Sequence, residues 1–277
     1  MFAAIPIVSG IDIVGQKVTK EYIIRREVQH PLDVPLDSLI ALEDRNRIDN
    51  LGIFAEVGWR TIPQLDGSVR VEYNVTESWP RIVPAPYPAY DEKLGWSYGM
   101  LVVIRNFQGR NQNLLAGGQI GAQDLYGVFF SDPWITGDHV SLSVNAGKAY
   151  FGHSYRYYDI ESTSLRMIFG RYFGYNHKMS AGFELEKKSF LGVTDTLDLN
   201  YIAPEFNYTY DTRDVYLSPT KGVRMNQNLL TMFDFGSGGN RAFWTQSYSM
   251  YKALIGGARN LVLAINASGR FSIGDRK

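Results

Sequence analysis

Two hydrophobic periods divide this chain near residue 80. Before that point apolar residues recur at a mixture of strand and helix spacings, and after Tyr90 they alternate with polar ones. Val8 to Val14 reads as a short strand closed by Gly15, and Thr19 stands where a side chain can cap a helix from Lys20 to about Val28. From Ser38 to about Leu51, the residues Leu39, Leu42, Ile48 and Leu51 recur at helical spacing, with Gly52 placed to stop the helix. Phe54 to Ile62 and Ser68 to Thr76 read as strands joined through Pro63-Gln64-Leu65-Asp66-Gly67, whose Asp-Gly pair predicts a hairpin. Strand, helix, helix, strand, strand is the order of a small α+β domain, assigned to residues 8–78, with one helical face and an exposed sheet edge.

Four prolines between Pro80 and Pro88 predict a semi-rigid linker over residues 79–92. From residue 93 to 277 the period is two. Val140-Ser141-Leu142-Ser143-Val144-Asn145-Ala146 shows it most cleanly, and Leu165-Met167-Phe169, Met179-Ala181-Phe183-Leu185 and Leu261-Leu263-Ile265-Ala267 repeat it. About nine such segments can be counted, each near the length of a tilted membrane-crossing strand of roughly 10 residues. The polar face carries Gln119, Gln123, Arg166, Glu184, Glu186 and Arg224. A soluble sandwich can leave these in water and a membrane barrel can turn them into its lumen. Aromatic residues favour the barrel: Phe129, Phe130, Trp134, Tyr150, Phe151, Tyr157, Tyr158, Tyr172, Phe173 and Tyr175 gather where strand ends are expected, as interfacial girdles do. Because a barrel leaves no open edge in lipid, about nine strands predict a sheet that continues beyond this sequence.

Composition narrows the chemistry. Lys plus Arg and Asp plus Glu are equal at 28 each, so there is no basic excess with which to bind nucleic acid. The absence of cysteine removes disulfides, thiolate metal sites and cysteine nucleophiles. The longest stretch without a charged residue, Asn111 to Gln123, is 13 residues and rich in amides, short of the ~18 apolar residues of a transmembrane helix. The first residues lack the basic and apolar regions of a signal peptide.

No catalytic, cofactor or metal constellation emerges. Asp211, Arg213 and Asp214 read as a charge lattice at a strand–turn corner, because the arginine lies between the carboxylates and Pro219 and Gly222 are turn residues. His30, His139, His153 and His177 share no ligand spacing and are expected at the surface or in the lumen. Gly236, Gly238 and Gly239 lack the following Lys-Ser/Thr of a phosphate loop, and Gly152-His153-Ser154-Tyr155-Arg156 lacks the second glycine of a nucleophile elbow.

Several stretches carry a family resemblance. Arg45 to Phe54, with Leu51, Gly52 and Phe54, followed by Val69 to Glu77, resembles a POTRA domain, the periplasmic module of BamA-type outer-membrane β-barrel assembly factors. Asn106-Phe107-Gln108-Gly109-Arg110 resembles the end of that family's first barrel strand, and Asp132-Pro133-Trp134 the exit of its second. Tyr210-Asp211-Thr212-Arg213-Asp214 with Ser218-Pro219-Thr220-Lys221-Gly222 resembles its D-x-R-D…P-x-x-G signature. The resemblance implies a POTRA domain followed by the first strands of an antiparallel transmembrane barrel of about sixteen. It also implies an inward loop with an R-G motif, which would lie further along than Gly274.

The implied function is insertion and folding of β-barrel proteins into the bacterial outer membrane, with the POTRA domain in the periplasm. The implied partners are unfolded outer-membrane β-barrel proteins, outer-membrane lipid, and periplasmic or lipoprotein accessory subunits. The seam strand expected from the resemblance runs from about Leu94 to Phe107 and includes Gly95, Gly99, Asn106 and Phe107. There the two glycines either weaken pairing or relieve crowding. A secretion pore for one dedicated client, of the two-partner or autotransporter-assembly kind, keeps the same fold. A passive porin-like channel would not need a folded N-terminal module.

Overall fold

The computed structural model describes residues 5–136, 139–152, 157–192, 194–236, 239–255 and 261–274. Contacts divide the chain into two compact units, one comprising Met1–Arg81, Arg105–Asn111 and Arg213–Lys221, the other Ile82–Ile104, Gln112–Thr212 and Gly222–Lys277.

The first unit contains strand β1 (Val8–Val14), helices α1 (Glu21–Arg25) and α2 (Ser38–Asp49), and strands β2 (Phe54–Pro63) and β3 (Val69–Glu77). Its sheet has the order β1-β3-β2, with β1 parallel and β2 antiparallel to the central strand. The centre of the sheet carries the centre of the core: Val71 and Tyr73 of β3 are fully buried, with Val8, Ile23, Ile24, Ile48, Phe54 and Val57 around them. The hairpin expected at Asp66-Gly67 forms, with Gly67 at φ 82° and Gln64 N–H donating to the Ser68 carbonyl at 2.9 Å.

Both helices differ from the sequence expectation. Helix α1 spans only Glu21–Arg25 and has no side-chain cap, because the Thr19 hydroxyl donates to Glu77 (2.7 Å) instead. Helix α2 is capped by Asp37, which accepts from Leu39 N–H (2.8 Å) and Ile40 N–H (3.3 Å). Its buried face consists of Ala41, Asp44 and Ile48, while Leu39 and Leu42 are exposed. Counting apolar residues mis-rotated the helix because a carboxylate occupies the core-facing side. Asp44 accepts from Gln29 N–H (2.9 Å), His30 N–H (3.0 Å), the Tyr73 hydroxyl (2.9 Å) and Arg47. Four donors are what make a buried carboxylate tolerable. Burial and the neighbouring Asp44 charge push the Tyr73 hydroxyl pKa well up.

The second unit is built on an antiparallel sheet of eleven strands in sequence order. They are β4 (Ile82–Asp91), β5 (Gly95–Phe107), β6 (Gln112–Gly121), β7 (Gln123–Thr136), β8 (Val140–Phe151), β9 (Tyr158–Phe173), β10 (His177–Gly192), β11 (Thr196–Asp211), β12 (Lys221–Asp234), β13 (Arg241–Ile255) and β14 (Leu261–Gly274). Strands of 10 to 16 residues meet or exceed the ~9–11 that a tilted membrane strand needs. Neither helix, at 5 and 12 residues, is long and apolar enough to cross a membrane.

The proline-rich segment expected as a linker is strand β4, paired with β5 from Ile82↔Ile104 to Asp91↔Gly95. The strand expected to be the sheet's first, β5, is therefore its second, flanked by β4 and β6. Phe129 and Phe130, expected at a strand end, sit in the middle of β7. Trp134, Tyr150, Phe151, Tyr158, Tyr172 and Phe173 do lie near strand ends. Cross-strand register sorts the faces. Phe169, Met179, Leu185, Phe206 and Leu229 expose apolar side chains on one face. Arg166, Glu184, Glu205 and Asn228 share the other.

Candidate functional site

Two turns connecting strands of the large sheet belong by their contacts to the first unit. At the end of β5 and in the turn that follows it, Asn106, Gln108, Gly109 and Asn111 all have positive φ, conformations that Asn and Gly tolerate best. The Gly109 carbonyl accepts from Lys20 N–H (2.9 Å). Asn106 Nδ2 donates to the Thr19 hydroxyl (2.8 Å), and Asn106 Oδ1 accepts from Asn111 N–H (2.7 Å). A Cβ on Gly109 would overlap the Val18 carbonyl oxygen. Glu77 orders the opposing loop: one carboxylate oxygen accepts from the N–H groups of Lys17 (3.2 Å), Val18 (2.9 Å) and Thr19 (2.7 Å). Burial alone would raise the Glu77 pKa, but the Thr19, Val18 and Lys17 donors together hold it below the usual value. Asn106 lies at the end of β5, the strand expected as the seam, and its side chain bonds the Thr19 hydroxyl.

The second turn carries the D-x-R-D…P-x-x-G stretch. Asp214 accepts from Thr220 N–H (2.9 Å), the Thr220 hydroxyl (2.5 Å) and Lys221 N–H (3.3 Å). Burial opposes ionisation of Asp214, yet these bonds outweigh it and lower the pKa. Arg213 donates to the Tyr216 carbonyl (3.0 Å) and its guanidinium lies 5.1 Å from the Tyr216 ring centre. Asp211 approaches Arg224 at 3.8 Å, and Gly222 has φ 108°. Asn50, one residue beyond α2, donates to the Asp214 carbonyl (3.2 Å) and accepts from Tyr216 N–H (2.7 Å). Sequence reasoning missed Asn50, which sits in the same Arg45–Phe54 stretch as Leu51, Gly52 and Phe54. Leu51 and Phe54 pack in the core and Gly52 holds φ 69°. Gly95 likewise needs its φ of 92° to start β5, whereas a Cβ on Gly99 would overlap the ring of Tyr87 opposite it.

Strand edges are the other chemically active surface. The Gln64–Ser68 bond sets the phase of the β2–β3 ladder, so the backbone groups of Gly58, Arg60 and Ile62 face β3 and those of Val57, Trp59 and Thr61 point outward. Arg45 Nε occupies the Val57 carbonyl at 2.8 Å. Trp59 and Thr61 remain as the outward stretch of this edge.

The large sheet's polar face carries a lattice of hydrogen-bonded side chains. Arg166 Nε donates to Glu205 (2.9 Å), which also accepts from Asn207 (2.9 Å) and Asn228 (2.7 Å). Ser162 donates to Glu186 (2.6 Å) on the same face, whereas Gln112 donates to Asp132 (2.6 Å), which the register pairs with Leu142 of the opposite face. Of the histidines, His30 is buried, not surface-exposed. Its Nε2 accepts from Asp37 N–H (2.9 Å) and its Nδ1 lies 2.8 Å from the Pro31 carbonyl. His139 packs on Trp134, with ring centres 4.0 Å apart, and His177 Nδ1 lies 2.9 Å from the Tyr208 hydroxyl. His153, Ser154, Tyr155, Arg156 and Gly238 lie outside the described residues. Among the described residues no group of three or more His, Asp or Glu side chains is placed to hold a metal.

Comparison with known proteins accounts for both units. Residues 6–78 match the POTRA family described as surface antigen variable number repeat, and residues 106–276 match the Omp85 superfamily domain. No curated protein shows a significant match. Among solved structures, BamA from Haemophilus ducreyi lacking POTRA domains 1–3 aligns at a TM-score of 0.58 and 18% identity, covering 96% of this chain and 55% of that one. CdiB from Acinetobacter baumannii (TM-score 0.54, 12% identity) and CdiB from Escherichia coli (0.54, 13%) each align over 97% of this chain, and over 53% and 55% of theirs. The chain spans about half the length of these solved relatives, and at such identities the likeness concerns the fold. The POTRA module followed by the long antiparallel sheet, matched over most of its length by the superfamily domain, places the chain in the Omp85 superfamily.

Proposed function

We propose that this protein assists the insertion and folding of β-barrel polypeptides in the bacterial outer membrane, with its POTRA domain in the periplasm. The observation that carries this reading is the edge of β2, where the backbone groups of Trp59 and Thr61 point away from β3 and can pair with an extended client. An unfolded β-barrel chain offers such segments in the alternating form an edge accepts. The exposed apolar face of the large sheet supports contact with outer-membrane lipid, and periplasmic or lipoprotein accessory subunits complete the proposed set of partners. Catalysis and cofactors have no part in it.

The test is reconstitution of the protein in vesicles and addition of a urea-unfolded outer-membrane β-barrel protein. Folding measured by resistance to protease is expected to be faster than in empty vesicles, and Trp59→Pro, which removes one outward donor, is expected to slow it. No acceleration would contradict the reading. A second reading, a secretion pore for a dedicated client, is favoured by the prolines of β4, which make that edge a poor template for a complete ladder. A passive porin-like channel leaves the α+β module without a role.

A further inference from the structure

Positive and negative side chains number 28 each over the whole chain, yet one corner of the first unit is one-sided. Lys20 N–H donates to the Gly109 carbonyl (2.9 Å), which brings the Lys17–Lys20 segment to the turn that carries Arg110, and Arg105 N–H donates to the Arg81 carbonyl (2.8 Å). Lys17, Lys20, Arg81, Arg105 and Arg110 all belong to the first unit, and all but Arg81 are exposed. Among the described residues none of these cations has an ion-pair partner. The carboxylates beside the Lys17–Lys20 segment are committed elsewhere: Glu21 pairs with Arg25 at 2.5 Å, and one oxygen of Glu77 is held by the N–H groups of Lys17, Val18 and Thr19. Just before Arg81 in the chain stands Trp79, 89% exposed. Arg81 precedes β4, Arg105 lies near the end of β5 and Arg110 in the turn before β6. Where such strands cross a bilayer, their ends stand at the level of the lipid headgroups.

We propose that Lys17, Lys20, Trp79, Arg81, Arg105 and Arg110 form a foot that seats the first unit on the anionic phospholipid headgroups of the leaflet on its own side of the membrane. The cations supply the attraction to phosphate that a basic cluster beside a membrane segment provides. Trp79 supplies the amphipathic ring that settles at the boundary between headgroups and acyl chains. A soluble acidic partner would satisfy the cations and leave the bare indole in water, whereas a lipid surface takes both. The inference goes beyond the proposed function and shares with it only the reading of the large sheet as spanning the membrane.

The test uses the full protein in vesicles of phosphatidylcholine and phosphatidylglycerol, with a dye on Val18→Cys, an exposed position between Lys17 and Thr19. A trace of either lipid carries a quencher near the top of its acyl chains, and the ratio of quenching by the two lipids measures the preference for the anionic headgroup. Phosphatidylglycerol is expected to quench more strongly at low salt, and the difference to shrink at high salt. Lys20→Gln should lower the preference by roughly twofold to fivefold. Lys17→Gln, Lys20→Gln and Arg110→Gln together should lower it further, while Lys20→Arg should keep it. Trp79→Ser should weaken quenching by both lipids alike. Equal quenching by the two lipids in the original protein, or a preference that the triple variant retains, overturns the inference. So does a preference removed by inorganic phosphate but not by chloride at the same ionic strength, which would mark a site for a soluble anion. Because no client is present, a lipid preference in a protein that fails to speed barrel folding would keep this inference and remove the proposed function.

Discussion

The side-chain amide of Asn50 grips the turn after β11 with both of its atoms, donating to the Asp214 carbonyl at 3.2 Å and accepting from Tyr216 N–H at 2.7 Å. A side chain that satisfies a donor and an acceptor two residues apart fixes the path of that segment against α2. Asn50→Ala is expected to cost about 1–3 kcal/mol and to raise the exchange rate of the Tyr216 amide. Asn50→Asp keeps the acceptor and should leave that amide protected. Equal exchange in all three proteins would mean the contact is incidental.

Two glycines with similar φ should respond differently to alanine. Gly52, at φ 69°, has open space where a Cβ would go, so Gly52→Ala costs only the left-handed strain of about 1–2 kcal/mol. Gly109, at φ 71°, faces the Val18 carbonyl, so Gly109→Ala adds a steric clash and should also break the Lys20–Gly109 bond. Thermal melts showing equal losses for the two variants would contradict the docking of this turn on the residue 17–20 loop.

The pH dependence of the first unit follows from Glu77. Its folded pKa is depressed, so its contribution is fully present above the ordinary carboxylate value and fades as pH falls through the lower folded value. Glu77→Gln is expected to flatten the fall in melting temperature between about pH 6 and pH 3. Asp214, depressed as well, should retain part of the slope. A variant with an unchanged profile would show that the three backbone donors do not favour the ionised form.

Asp44 offers a sharper test of the core. Asp44→Ala leaves the Tyr73 hydroxyl, two backbone N–H groups and Arg47 without their shared acceptor, and is expected to cost about 3–5 kcal/mol. Asp44→Ala together with Tyr73→Phe should recover part of that loss, because one orphaned donor disappears. Additive losses would place the hydroxyl outside the network.

What was legible in the sequence was what periodicity encodes. The alternation at Val140 to Ala146 and Met179 to Leu185 became strands β8 and β10, and the Asp66-Gly67 turn formed where expected. Helix α2 was found but rotated, since Asp44 is polar and buried, and only long-range partners such as Tyr73 reveal that. Strand β4 was hidden because proline is read locally as a breaker. Its compatibility with a sheet edge depends on ladder phase, which exists only once β5 is paired. The Asn50 and Thr19 contacts join residues far apart in sequence, so no local signal announced them.

Everything proposed for the large sheet depends on which of its faces meets lipid. Leu142 pairs with Phe169 and Ser141 with Gly170 across β8 and β9, so the two neighbours report opposite faces. The chain has no cysteine, which makes Leu142→Cys and Ser141→Cys single labelling sites in the protein reconstituted in vesicles. The Leu142→Cys label should be quenched by a lipid-soluble quencher and its thiol shielded from a water-soluble reagent, with Ser141→Cys giving the reverse. If both positions are aqueous, or both are buried without lipid contact, the sheet does not span a membrane and the proposed function falls with it.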